Sequence, residues 1–106
     1  MTMKIFKDVE GRSIRLTEER RRHILEHPEM VDMIPVIEET LMSPHKIVES
    51  LSDAQAHLYY RFYIGTKVGD KHLCVVVKIN LNDAFVLTAY LTDTTKKGKI
   101  LWPRKL

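Results

Sequence analysis

At 106 residues, 44% of them apolar and 29% charged, the chain has material for one modest core and is read as a single domain over residues 1–106. A domain of this size buries roughly two thirds of its unfolded surface, so neither disulfides nor a structural metal is required to hold it together. One cysteine, Cys74, excludes an intrachain disulfide and fits a reducing compartment. Met1-Thr2-Met3-Lys4 has no apolar signal core and no apolar run approaches about 18 residues, so cytoplasm is the expected location and no membrane partner is expected.

The first predicted element is a short hairpin: Lys4-Ile5-Phe6, a turn at Glu10-Gly11, then Ser13-Ile14-Arg15-Leu16. Thr17 is a good N-cap, with Glu18 and Glu19 placed where acids favour the helix dipole. The helix that follows runs to about Glu26 and stops before Pro28, because the residue preceding a proline is pushed out of the α region. Ile24 and Leu25 are its clearest apolar positions. A second helix covers about Met33 to Met42, with Pro35 tolerable only in its first turn. Ile34, Ile37 and Leu41 recur at helical spacing and give the inward stripe, while Glu38 and Glu39 face water. From there the chain reads as strands at about 46–51, 57–64, 71–79, 84–92 and 99–102, with Asn80-Leu81-Asn82-Asp83 as a tight turn. Helices followed by consecutive strands predict an α+β fold: a hairpin and helices over residues 1–44, then an antiparallel meander sheet over residues 45–102.

Charge is unevenly spread: residues 1–28 sum to +2, residues 29–53 to −5 and residues 54–106 to +6, for a net of +3. A basic half beside an acidic helix describes a dipolar molecule with one side suited to a polyanion. The competing reading is that Lys and Arg simply solvate exposed strands.

Strand alternation divides the sheet residues into two sets. One is apolar and predicted to pack beneath the helices: Leu58, Tyr60, Phe62; Leu73, Val75, Val77, Ile79; Phe85, Leu87, Ala89, Leu91. The other mixes cations, phenols, hydroxyls and imidazoles: His57, Tyr59, Arg61, Tyr63; His72, Cys74, Val76, Lys78; Ala84, Val86, Thr88, Tyr90, Thr92. Chemistry is expected on the second.

The blocks Arg15-Leu16-Thr17-Glu18-Glu19-Arg20, His23-Ile24-Leu25, His27-Pro28-Glu29, Leu58-Tyr59-Tyr60-Arg61, Leu73-Cys74-Val75-Val76-Val77-Lys78, Leu87-Thr88-Ala89-Tyr90 and Lys97-Gly98-Lys99-Ile100-Leu101-Trp102, in this order over about residues 12–102, carry a resemblance. They resemble the phage- and mobile-element-associated nuclease-like domains grouped with barnase, EndoU, tRNA-cleaving colicins and RelE toxins, the BECR fold. The resemblance implies two helices on one face of a four-stranded antiparallel sheet, with RNA cleaved on the other face and no metal or cofactor. It also implies an antitoxin or immunity protein as partner beside RNA itself. An aromatic residue is common in the family where this chain has Arg21.

Arg61, flanked by Tyr59 and Tyr63, is the predicted cation for phosphoryl oxygens, since a planar guanidinium suits phosphate. An exposed strand arginine stacked on tyrosines is the plainer alternative. Lys78, Thr88 and Tyr90 share its predicted face and would add a charge and orienting hydroxyls, against ordinary cross-strand pairing. His23 and His27 stand on one helix face, but no third ligand accompanies them, so zinc is not favoured. His23 is read as the general base, because imidazole exchanges protons near neutrality, against a structural imidazole near the core. His57 and His72 are read as surface residues, and Cys74 as a buried half-apolar thiol. The basic tail, with Lys96, Lys97, Lys99, Arg104 and Lys105, is expected to track a nucleic-acid backbone beside Tyr59 and Tyr63, with Trp102 closing the core. The leading expectation is a metal-independent endoribonuclease leaving 2′,3′-cyclic phosphate. A catalytically inactive nucleic-acid-binding module and a protein-interaction domain docking through Glu38 and Glu39 are the alternatives.

Overall fold

A computed structural model describes residues 3–104; Lys105 of the basic tail lies outside them. The hairpin joins β1 (Met3–Lys7) to β2 (Ser13–Thr17) through a turn where Gly11 adopts φ +84°, a conformation glycine enters without steric cost. Asp8 pins this turn, its carboxylate accepting from the backbone N–H of Glu10 at 3.0 Å and of Arg12 at 2.8 Å. Thr17 caps α1 (Glu18–Leu25), its hydroxyl accepting from the Arg20 N–H at 3.2 Å. His27, extended ahead of Pro28, ends that helical path. A single 3-10 turn, Pro28–Met30, leads into α2 (Ile34–Met42). Its buried stripe is Ile34, Ile37 and Leu41. Thr40 is also buried there, because its hydroxyl donates to the Val36 carbonyl at 2.8 Å and meets the Tyr63 hydroxyl at 3.0 Å.

The remaining strands are β3 (Lys46–Glu49), β4 (Ala56–Thr66), β5 (Gly69–Asn80), β6 (Asp83–Thr92) and β7 (Lys99–Trp102). They do not make a four-stranded antiparallel meander. The sheet has seven strands in the order β1-β2-β6-β5-β4-β3-β7 and is mixed, because β2 runs parallel to β6. The physical reason is that β6 would otherwise leave a row of unpaired backbone groups. The N-terminal hairpin takes that edge, and β7 takes the outer edge of β3. Bidentate contact between Arg15 and Asp83, at 3.0 and 2.6 Å, fastens the parallel seam.

Both helices cover one face. Ile14, Leu16, Ile24, Ile37, Leu41, Val75 and Val86 are among the members of a single buried cluster there, with Trp102 packed against it. On the opposite face a smaller cluster, Val48, Leu58, Tyr60 and Cys74, is also buried. No helix among the described residues is long and apolar enough to cross a membrane.

Two bulges decide which side chains face which way. The β4–β5 register shifts between Tyr63 and Thr66, where Gly65 adopts φ +75° and its N–H donates to Asp70 at 2.9 Å. Adding a residue to one strand flips everything beyond it to the other face. Leu73 and Val75 therefore pair with Arg61 and Tyr59. The expected sides of β4 are thus exchanged: Tyr59, Arg61 and Tyr63 lie on the helix face, and Leu58, Tyr60 and Phe62 on the open one. A second shift between Val76 and Val77, against Thr88 and Val86, turns Ala84 and Val86 inward and Phe85 outward. β5 and the distal half of β6 keep the expected alternation.

Candidate functional site

Cross-strand register assembles the open face row by row. Lys46, Tyr60, Cys74 and Tyr90 stand in line across β3, β4, β5 and β6. The next row toward the β4–β5 turn is Phe62, His72 and Thr92; on the other side come Leu58, Val76 and Thr88, then Ala56, Lys78 and Phe85. Phe62 and His72 meet edge to face at 4.9 Å between ring centroids, and Phe62 is 41% exposed.

The segment 93–98 crosses over part of this face. The Lys96 N–H donates to the Tyr60 hydroxyl at 3.0 Å, and Lys46 Nζ donates to Thr95 Oγ1 at 3.0 Å. This covering buries Tyr60 and Cys74 and leaves Tyr90 half-buried. Burial pushes the Tyr60 phenol up to about 12 and raises those of Tyr90 and the Cys74 thiol as well. Tyr90 therefore keeps its proton at neutral pH and does not serve as a base.

Charge separates the lysines of this region. Lys78 pairs with Asp53 and, by hydrogen bonding, holds that carboxyl below its ordinary range. Arg15 pairs with Asp83. Lys46, Lys96 and Lys97 have no carboxylate partner among the described residues. Lys99 pairs in register with Glu49, whose neighbours in the strand alternation place it toward the helix face, away from Lys96 and Lys97.

The residues assigned to one site from sequence occupy three places. Lys78, Thr88 and Tyr90 share the open face as expected. Arg61 does not join them: its guanidinium donates to the Ser43 carbonyl at 2.6 Å and lies 3.9 Å from Glu39, closing the C-terminal end of α2. Cations there satisfy orphan carbonyls and oppose the helix dipole. Arg61→Ala is therefore expected to lower stability by roughly 0.5–1 kcal/mol in a urea titration and to leave the open face unaltered. A loss several times larger would assign it more than a helix end. His23 is exposed on α1, 3.8 Å from Glu26 and on the far side of the sheet from Tyr90.

Tyr59 and Tyr63 are likewise engaged within the fold. Tyr59 is fully buried, donates to Asp8 Oδ2 at 2.7 Å and accepts from Arg12 Nη1 at 3.3 Å. Burial first, and Asp8 second, hold its phenol protonated. Tyr63 reaches Thr40 and is pushed up to about 12, chiefly by burial. Next to this network His57 is half-buried, and desolvation, then the charge of Arg12, lower its pKa below 6.5, while Glu49 and Asp8 act in the opposite sense.

An imidazole with a depressed folded pKa binds its proton more readily unfolded. Stability is thus whole above about 6.5 and falls as pH drops from there toward the folded value. The parent should lose more melting temperature between pH 7.5 and 5.5 than His57→Asn does. Equal losses would remove His57 from the account.

Sequence reasoning passed over Lys46, Tyr60, Phe62 and His72 as site residues. The signal that could have found them is Gly65, a glycine inside a strand pattern, which marks a bulge. Among the described residues no group of three or more His, Cys, Asp or Glu is placed to hold a metal ion. Comparison with protein-family models, with curated proteins and with solved structures finds no match to this chain.

Proposed function

We propose that the protein binds single-stranded RNA across the open face of its sheet and cleaves it there, without a metal, by attack of the 2′-hydroxyl. One observation carries this reading: rings of Phe62, His72 and Tyr90 share a face with Lys46, Lys96 and Lys97, cations with no carboxylate partner among the described residues. Ring stacking and unneutralised ammonium groups along one surface are what single-strand binding requires. A cytoplasmic RNA suits a chain whose one cysteine is free.

His72 and Tyr90 are diagonal neighbours across β5 and β6, and supply the acid–base pair of this scheme. His72 takes the proton of the 2′-hydroxyl as that oxygen bonds to phosphorus. Tyr90 gives its proton to the departing 5′-oxygen as the P–O5′ bond breaks, leaving a 2′,3′-cyclic phosphate and a 5′-hydroxyl. Lys46 offsets charge on the phosphoryl oxygens. Thr88 orients the backbone from the neighbouring row, and Lys78, neutralised by Asp53, stays outside the reacting set.

The test is incubation of the pure protein with total RNA in EDTA, with end mapping, beside oligouridylate binding at low and raised salt. Affinity should fall steeply with salt, because bound phosphates release counterions. Cyclic phosphate ends should accumulate, and DNA should survive. Salt-sensitive binding without products leaves a nucleic-acid-binding module; binding indifferent to salt dismisses the reading.

A further inference from the structure

Beyond the pairing of Glu49 with Lys99, the loops before β4 and before β7 face each other across an open cleft of about 310 Å³. Ser50, Leu51 and Ser52 form one wall, Lys96 and Lys97 the other, and Leu58 reaches it from the open face. Among the described residues no carboxylate lines it.

Both walls are fixed. The Ser50 N–H donates to the Ala56 carbonyl at 2.9 Å, and the Ser50 and Ser52 hydroxyls lie 3.1 Å apart. Opposite, the Lys96 N–H is held by Tyr60, and Gly98 settles against β3 where no side chain fits. A Cβ there would stand 2.3 Å from the Glu49 carbonyl oxygen and 2.6 Å from Val48 Cγ1. Close backbone approach of this kind requires glycine. The loop is thereby held at a set depth, and its two lysines are presented in tandem.

We infer that this cleft is a phosphate site that takes one nucleotide of the bound strand. The phosphate lies between the Lys96 and Lys97 ammonium groups and the serine hydroxyls; the sugar and base lie over Leu58 and the exposed Leu51. Ammonium groups bind phosphate as point charges, hydroxyls supply short directional donors, and the volume is at the small end of those that small-molecule sites occupy. An anion between Lys96 and Lys97, which have no carboxylate partner among the described residues, offsets the charge of both. The inference rests on the open face being the RNA surface, since Leu58 belongs to both.

Adenosine 5′-monophosphate, adenosine and inorganic phosphate serve as probes, titrated into the full chain with backbone amide shifts as the readout. The monophosphate should move amides at 50–52 and 96–98, with adenosine binding roughly ten-fold more weakly for want of the charge-assisted contacts. Lys96→Gln/Lys97→Gln should cost about ten-fold in monophosphate affinity, and Lys4→Gln/Lys7→Gln, the same charge change on β1, little. Gly98→Val, which alters no charge, should weaken binding by displacing the loop. Should it fail to fold, the glutamine pair still decides. Equal affinity of parent and glutamine pair, or shifts elsewhere, overturns the site. Oligouridylate binding run in parallel separates the two readings. If it depends on Phe62 while the monophosphate ignores the cleft, only the cleft fails. If the monophosphate fills the cleft but Phe62→Ala leaves oligouridylate binding unchanged, only the open-face reading fails.

Discussion

Asp8→Ala is expected to cost about 3 kcal/mol, since removing one partner from a buried charge-assisted network leaves the others unsatisfied. The Asp8 carboxylate accepts from two backbone N–H groups, the Tyr59 hydroxyl and the Arg12 guanidinium, and its side chain is fully buried. Truncation strands the Tyr59 hydroxyl in the core and unties the turn between β1 and β2. For a domain of this length the melting temperature should fall by roughly 12 °C or more. Asp8→Asn keeps an acceptor for the backbone donors and should recover part of the loss. A truncation that costs under about 1 kcal/mol in urea, the size of an ordinary surface change, would show the network to be incidental.

His72→Ala is expected to lower the single-turnover cleavage rate by roughly 10²–10⁴-fold, the range spanned by positioned acid–base groups. Oligouridylate affinity should change far less, because Phe62, Lys46, Lys96 and Lys97 remain. Arg61→Ala, on the other side of the sheet, should cleave at the parent's rate. A His72→Ala enzyme within a few-fold of the parent would move the base elsewhere, and a slow Arg61→Ala enzyme would reopen the arrangement of the site.

Elements whose rules are local were readable from the chain. The Thr17 cap, the stop before Pro28, the stripe Ile34, Ile37, Leu41 and the turn after Asn80 each follow from a few neighbouring residues. β5 was readable too, because Leu73, Val75 and Val77 recur at every second position between the polar His72 and Lys78. β4 was not, for two reasons. Leu58, Tyr59 and Tyr60 are all buried, one face under helices and the other under residues 93–98, so no alternation of polarity marks a solvent side. Counting pairs back from the turn also gives the wrong side unless the extra residue at Gly65 is included. Tyrosine added to the confusion, since its hydroxyl reads as a solvent group but finds Asp8 in one case and the Lys96 amide in the other. That inversion moved Arg61 out of the site and brought Phe62 into it. The parallel seam between β2 and β6 depends on which edge is free after the sheet forms, a long-range outcome with no local signature.

That seam also orders events in time. Arg15 and Asp83 lie 68 positions apart in the chain, whereas β3 to β6 close on one another through short connections. Joining distant segments carries the larger loop-closure entropy, and non-local pairing slows folding. The N-terminal hairpin is consequently expected to dock after the β4–β5–β6 ribbon has formed and to be the first unit to open from the native side. Amide protons of β1 and β2 should exchange through openings smaller than global unfolding, well ahead of those in central β5. Equal protection across all three strands would instead place the hairpin within the first cooperative unit.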